Sequence, residues 1–571
     1  MQKYSKSFFP SGEEINKAIH SFTYKQMIIF IVCFGALIVS VFLMVKNISD
    51  KYSVERPLQG GSFTEGVIGS PRFINPVLAI SNTDRDLTSL VFSGLTKKIY
   101  SGDIENDLAE SYLVSDSGLT YTFTIKEGAT FHNKQPITAD DVIFTITKIQ
   151  DGQLKSPYQA NWSSVAVTKI DNKTIQFRLA EAYSTFLEST TVGIIPSSLW
   201  GQIDIDDFTF SDANIDAVGS GAYRISNIDR KKNGLIDSVT LRAFSKYVGG
   251  EPYISKVKFV FFKNEEDLIR AYRKGSVDQI NAIDPEQARL LENNGKDITA
   301  STLSRIFGLF FNSNKLEIFR NKNVIKAINL AINKQEVVDG VLHGYGKTVD
   351  SPIPESLFPR EEIESPSYEQ SLAEANSLLE KEGWKLGENG FRTKDGKTLG
   401  FSISTGDAAE LQKSAEIIKN NLAKIGVSVE VKIFEIANLN QSVIRPREYE
   451  VLFFGQIISN ETDLFAFWHS SQRNDPGLNV AIYTNSKVDG LLEKIIENPT
   501  PEKRREYFEA LEKEIKSDAP AVFIYSPDFI YLTDSKIKNI KIDHITLPSE
   551  RLLNIRDWYI RTERVWEFLI K

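Results

Sequence analysis

Residues 107–146 read DLAESYLVSDSGLTYTFTIKEGATFHNKQPITADDVIFTI. Within it, 121–126 (YTFTIK) alternates apolar and polar residues, as a half-buried strand does. Gly128 marks a turn, and Thr138-Ala-Asp-Asp141 has the form of a capping box opening the apolar-periodic helix VIFTITKI. A hairpin strand followed by a capped helix predicts mixed α/β structure.

The same alternation continues outward. TIQFRL (174–179) reads as a strand, and Val324, Ile328 and Ile332 mark one helix face. Asn333 with Glu336 begins a further helix that stops near Gly344. An amphipathic helix over 408–424 ends at Gly426 and runs into VSVEVKIF (427–434), the order of a crossover unit in a parallel sheet. Thr500-Pro501 opens a helix with Tyr507, Phe508, Leu511 and Ile515 inward. The acidic stretch 203–216 lacks the spacing of a calcium loop and reads as a solvated loop. With 571 residues the chain is too long for a single core.

Residues 27–45 (MIIFIVCFGALIVSVFLMV) carry no charge, enough to cross the ~30 Å apolar layer of a membrane as a helix. Lys3, Lys6, Lys17 and Lys25 outnumber Glu13 and Glu14 before it, which places the N-terminus inside and the rest outside. A cleaved signal peptide needs a shorter apolar run and small residues at its exit site, and 42–53 offers no such pattern. The expectation is an uncleaved anchor, with Cys33 inside it and a polar linker over 46–60. One cysteine permits no intramolecular disulfide.

The chain carries 67 basic and 75 acidic residues, a net charge of −8, which argues against a dedicated nucleic-acid binder. His20, His132, His343, His469 and His544 show no metal-ligand spacing, and no G-x-S-x-G elbow is present. Gly344-Tyr-Gly-Lys-Thr348 lacks the earlier glycine of a phosphate loop, its place taken by Val341. The expectation is therefore no metal, no cofactor and no enzyme chemistry.

The stretch 107–146 resembles the signature of the family 5 extracellular solute-binding proteins, the oligopeptide- and dipeptide-binding group. GVIGSPRFINP (66–76), DRDLTSLVFSGL (84–95), VGSGAYRI (218–225), RNKNVIKAINLAINKQEVVDGVLHGYGK (320–347), SLAEANSLLEKEGW (371–384) and DAPAVFIYSPDFIYL (518–532) are similar to family blocks in the family's order. The resemblance spans roughly 61–545. It implies a two-lobe α/β clamp of the periplasmic-binding-protein kind. Lobe I would be 61–97, 200–305 and 520–571, with an extra subdomain at 98–199, and lobe II 306–519. Segments 1–26 and 27–45 would be the inner end and the anchor. Ligand would be buried between the lobes by hinge closure. The expected function is capture of a peptide or peptide-like solute by a monomer that hands it to the permease subunits of an ABC importer. Ligand sensing through the anchor, or a sugar, metal complex or haem-like ligand, remains open.

The resemblance also nominates ligand-facing residues. Peptide-binding members place an Asp shortly after a strand ending in Gly-Trp, where it pairs with the ligand's amino end. Here Gly455 matches the Gly, Gln456 stands in place of the Trp, and the Asp position falls on Ser459. A buried ammonium needs a carboxylate or several acceptors, so Glu461 or Asp463 would serve through a shifted loop, with Asn460 beside them as a further candidate, or the ligand's amine is blocked or absent. A solvent-exposed loop without a binding role is the alternative. Tyr158, Asn161 and Trp162 match a loop that lends an aromatic to the cleft, and Tyr525 matches a cleft Tyr. Asn479 matches a recurring Asn, read as fixing a loop more often than touching ligand.

Overall fold

A computed structural model describes residues 12–182, 185–360, 367–497, 500–543 and 545–566. His544 lies outside them. The chain divides into two compact units, 1–58 with 561–571, and 59–560.

In the first unit, helix Tyr24–Tyr52 is exposed along its apolar length. Its Tyr24–Asn47 segment is apolar enough and long enough to span a bilayer. Within the 46–60 stretch the helix runs on to Tyr52, and Ser53–Leu58 is a strand. That strand pairs antiparallel with Arg561–Trp566, Ser53 opposite Trp566 and Leu58 opposite Arg561.

The second unit is built on a sheet of twelve strands sewn together by one of them, Ala521–Leu532. The N-terminal part of that strand pairs with Arg305–Phe311, as Phe310 opposite Ala521 shows. Its C-terminal part pairs with Ile298–Thr302 and Gln279–Asn281. Nearly every residue along it is buried, as expected of a strand covered on both faces.

On one side of this seam lie Gln279–Asn281, Ser62–Ile68, Lys256–Phe262, Ile236–Ala243 and the edge strand Tyr223–Arg230. On the other lie Arg305–Phe311, Val451–Ile457, Gly400–Gly406 and Ser428–Phe434. The last two are parallel and joined by helix Ala409–Ala423, the crossover read from 408–434. Each side has its own apolar packing, so the unit has two lobes.

Residues 109–179 add a four-stranded antiparallel sheet to the first lobe. Thr120–Ile125 buries Tyr121, Phe123 and Ile125 and half-exposes the residues between, the alternation read from sequence. Helix Ala139–Gln150 follows, and the Asp141 carboxylate accepts from the Thr138 N–H at 2.9 Å and hydroxyl at 3.0 Å. The same carboxylate accepts from the Ser197 N–H and hydroxyl, each at 2.8 Å, so one side chain caps a helix and pins a distant loop. Helix Pro501–Asp518 starts at Thr500, whose hydroxyl accepts from the Lys503 N–H, and it buries Phe508, Leu511 and Ile515.

Candidate functional site

The parallel strands Gly400–Gly406 and Val451–Ile457 end on the same side of the second lobe. In open α/β sheets the crevice beyond the carboxyl ends of such strands is where ligands bind. The second strand leads into Ile458, Ser459 and Asn460, then helix Glu461–Trp468. This loop reaches the first lobe. The Asn460 amide donates to Glu188 Oε2 at 3.1 Å, and the Thr462 and Thr185 hydroxyls are 3.2 Å apart.

The loop's own polar groups are committed to one another. Asp463 Oδ2 accepts from the Ser459 N–H at 2.7 Å, the Ser459 hydroxyl at 2.6 Å and the Asn460 N–H at 3.3 Å. Asn460 Oδ1 accepts from the N–H groups of Thr462 and Asp463, completing a capping box. Glu461 is buried and paired with Arg504 at 3.2 Å. Burial raises the pKa of Glu188, and the nearby Glu461 and Asp463 carboxylates raise it further against the Asn460 hydrogen bond, which lowers it.

Tyr525 lies in the seam strand with no exposed surface. Its ring stacks on Phe307 at 4.9 Å and its hydroxyl donates to Glu410 Oε1 at 2.8 Å, in the first turn of helix Ala409–Ala423. Burial pushes both the Tyr525 phenol and the Glu410 carboxyl upward. Asn479 is also fully buried. Its amide donates to the carbonyls of His469 at 3.2 Å and Tyr483 at 3.0 Å, and its oxygen accepts from the Tyr483 N–H at 3.1 Å. Those bonds are the loop-fixing kind.

In the first lobe, Trp162 is buried with its ring 5.6 Å from Phe177 and 5.7 Å from Phe186. Tyr158 is half-buried against the same core, and burial raises its pKa. Asn161 is exposed. The structure therefore gathers Ser459, Asn460, Glu461 and Asp463 in one loop at the lobe–lobe contact, and sets Trp162, Tyr525 and Asn479 into packed surroundings. It adds Glu188 and Glu410, which sequence reasoning did not single out. Glu188 is 272 positions from Asn460, and no local pattern announces such a pairing.

A two-lobe sheet sharing one seam strand, with polar loops meeting across the lobes, is the fold of the two-lobe solute-binding proteins. Residues 103–476 match the Bacterial extracellular solute-binding proteins, family 5 Middle, and the chain belongs to that family. It is 28% identical over 532 residues to Oligopeptide-binding protein AppA of Bacillus subtilis (strain 168), covering 90% of this chain and 94% of the relative. It is 26% identical over 490 residues to Heme-binding protein A of Haemophilus influenzae, covering 79% and 84%. The solved structure of Bacillus subtilis AppA in complex with a nonapeptide superposes with a TM-score of 0.67 at 24% identity, covering 89% of this chain and 100% of that one. These neighbours share the two-lobe α/β fold, and family members are binding proteins.

Proposed function

We propose that this chain captures peptides outside the cytoplasmic membrane, between its two lobes, and passes them to the permease of an ABC importer. The observation that carries the reading is the near full-length likeness to an oligopeptide-binding protein, in a chain whose lobes meet through a polar loop contact. Ser459, Asn460, Tyr158 and Asn161 are the proposed cleft-facing groups, with Glu461, Asp463, Trp162, Tyr525 and Asn479 holding the walls they stand on. The apolar helix serves as an uncleaved anchor, supported by its direct continuation into the paired strand Ser53–Leu58. The protein acts as a monomer on this reading.

The test is to purify residues 53–571 without denaturant and identify any bound solute by mass spectrometry. A synthetic nonapeptide pool is then titrated into refolded, ligand-free protein. Co-purified peptides and a rise in melting temperature with the pool support the reading. A haem, sugar or metal complex in the mass spectrum, with no response to the pool, overturns it.

A further inference from the structure

Gln456 is the next-to-last residue of strand Val451–Ile457 and is only 2% exposed. Neither its amide nitrogen nor its amide oxygen has a hydrogen-bond partner among the described residues. Alternation along the strand puts it on the face of Leu452 and Phe454, and its register partner is Ile306. Leu452 and Ile306 are buried apolar residues of the same cluster, to which Ile458 also belongs. Such neighbours supply no hydrogen bonds from their side chains.

A buried donor or acceptor left unpaired costs more than an ordinary hydrogen bond contributes. Here both atoms of one carboxamide are unpaired, whereas every other buried residue with an unpaired side-chain polar atom among the described residues has a single one. Asn479 and Asn421, equally buried carboxamides, each bond through nitrogen and oxygen. Gln456 differs from them in position. It lies at the carboxyl end of a strand bordering the crevice, four residues before Asn460, which touches the opposite lobe.

We propose that Gln456 is a recognition group that pairs with an amide of the captured solute. A carboxamide offers a donor and an acceptor side by side. A carboxylate on the solute would satisfy only the donor, and an ammonium only the acceptor. A peptide link, or the side chain of Asn or Gln, satisfies both. The inference deepens the peptide reading and rests on it: it names the group through which a peptide is held at this strand end. It also accounts for a strand end that accepts an unfavourable residue in the unliganded protein, since stability is given up where binding requires it.

The experiment compares wild type with Gln456→Met, which is similar in size and apolar, and Gln456→Glu, which keeps the shape but loses the donors. The probe is the synthetic nonapeptide pool, with apparent affinity read from thermal-shift titration. Removing the orphaned amide should raise the melting temperature of unliganded Gln456→Met by about 1–4 °C. Its apparent affinity for the pool should fall about ten- to a hundredfold. Gln456→Glu should also bind more weakly than wild type.

A lower melting temperature for unliganded Gln456→Met would show that the carboxamide is bonded within the protein, and the proposal would fall. Unchanged affinity in a wild-type background that binds the pool would overturn the amide assignment and leave the peptide reading standing. No binding of the pool by wild type would overturn the peptide reading and the assignment with it.

Discussion

His132 illustrates what burial does to a single residue. Its Nε2 lies 3.1 Å from the Gly221 carbonyl, its Nδ1 is 3.4 Å from the Gly219 N–H, and its ring meets Phe244 edge-on at 4.8 Å. A neutral ring with Nε2 protonated fits both bonds, and a charged ring would clash with the Gly219 donor. Burial lowers its pKa from 6.5 to about 4. Because the folded value is below the unfolded one, the unfolded chain binds more protons between them. Stability is therefore lost as pH falls from about 6.5 towards 4, by up to about 3 kcal/mol. Urea melts at pH 7 and pH 4.5 should show this loss in wild type and a smaller one in His132→Gln. Arg551 has no exposed surface and pairs with Glu65 at 2.8 Å and Asp86 at 2.7 Å. Arg551→Met would leave two buried carboxylates without their cation, and urea denaturation should report a loss of about 3–5 kcal/mol. The sequence could nominate Glu461 and Asp463 because they stand beside Ser459. It could not show that Arg504 and the loop's own N–H groups occupy them, since Arg504 arrives from another helix.

Single elements were more legible, because their causes are local. The strand at 120–125, the Thr138 cap and the crossover at 408–434 follow from alternation, a capping side chain and a terminating glycine at Gly426, whose φ of 77° suits it to that turn. What the local pattern could not reveal is the second duty of Asp141 toward Ser197. Asp141→Ala should consequently cost more than an ordinary cap. Loss of the cap and of two partners at Ser197 gives about 2–4 kcal/mol in urea denaturation, against about 1 kcal/mol for a simple cap. The seam strand was legible as a family block, but its pairing with strands from both lobes was not. Its partners lie at 279–281, 298–302, 305–311 and 346–348, more than 170 residues away in sequence.

For the whole molecule, the seam strand and the Asn460 loop define where motion can occur. The lobes share a continuous strand at the back, and their loops meet through Asn460–Glu188 and Thr462–Thr185. Hinge closure around a ligand should keep the first and make or tighten the second. Small-angle scattering should give a smaller radius of gyration with saturating nonapeptide pool than without, and an unchanged profile would argue against closure. Asn460→Ala should weaken pool binding by about two- to tenfold by removing one cross-lobe hydrogen bond, seen in the same thermal-shift titration.

The pairing of Ser53–Leu58 with Arg561–Trp566 has a consequence for chain connectivity. Beyond the apolar helix, the stretch 53–566 leaves from one strand of this pair and returns to the other, which brings its two ends side by side. Ser53 and Trp566 are register partners, and antiparallel partners are close enough for a two-residue turn to join them. A circularly permuted form, closed there and opened at the exposed hairpin tip around Gly234, would keep every strand pair described above while releasing the body from its helix. The order in which the chain is written would change, and the clamp would not.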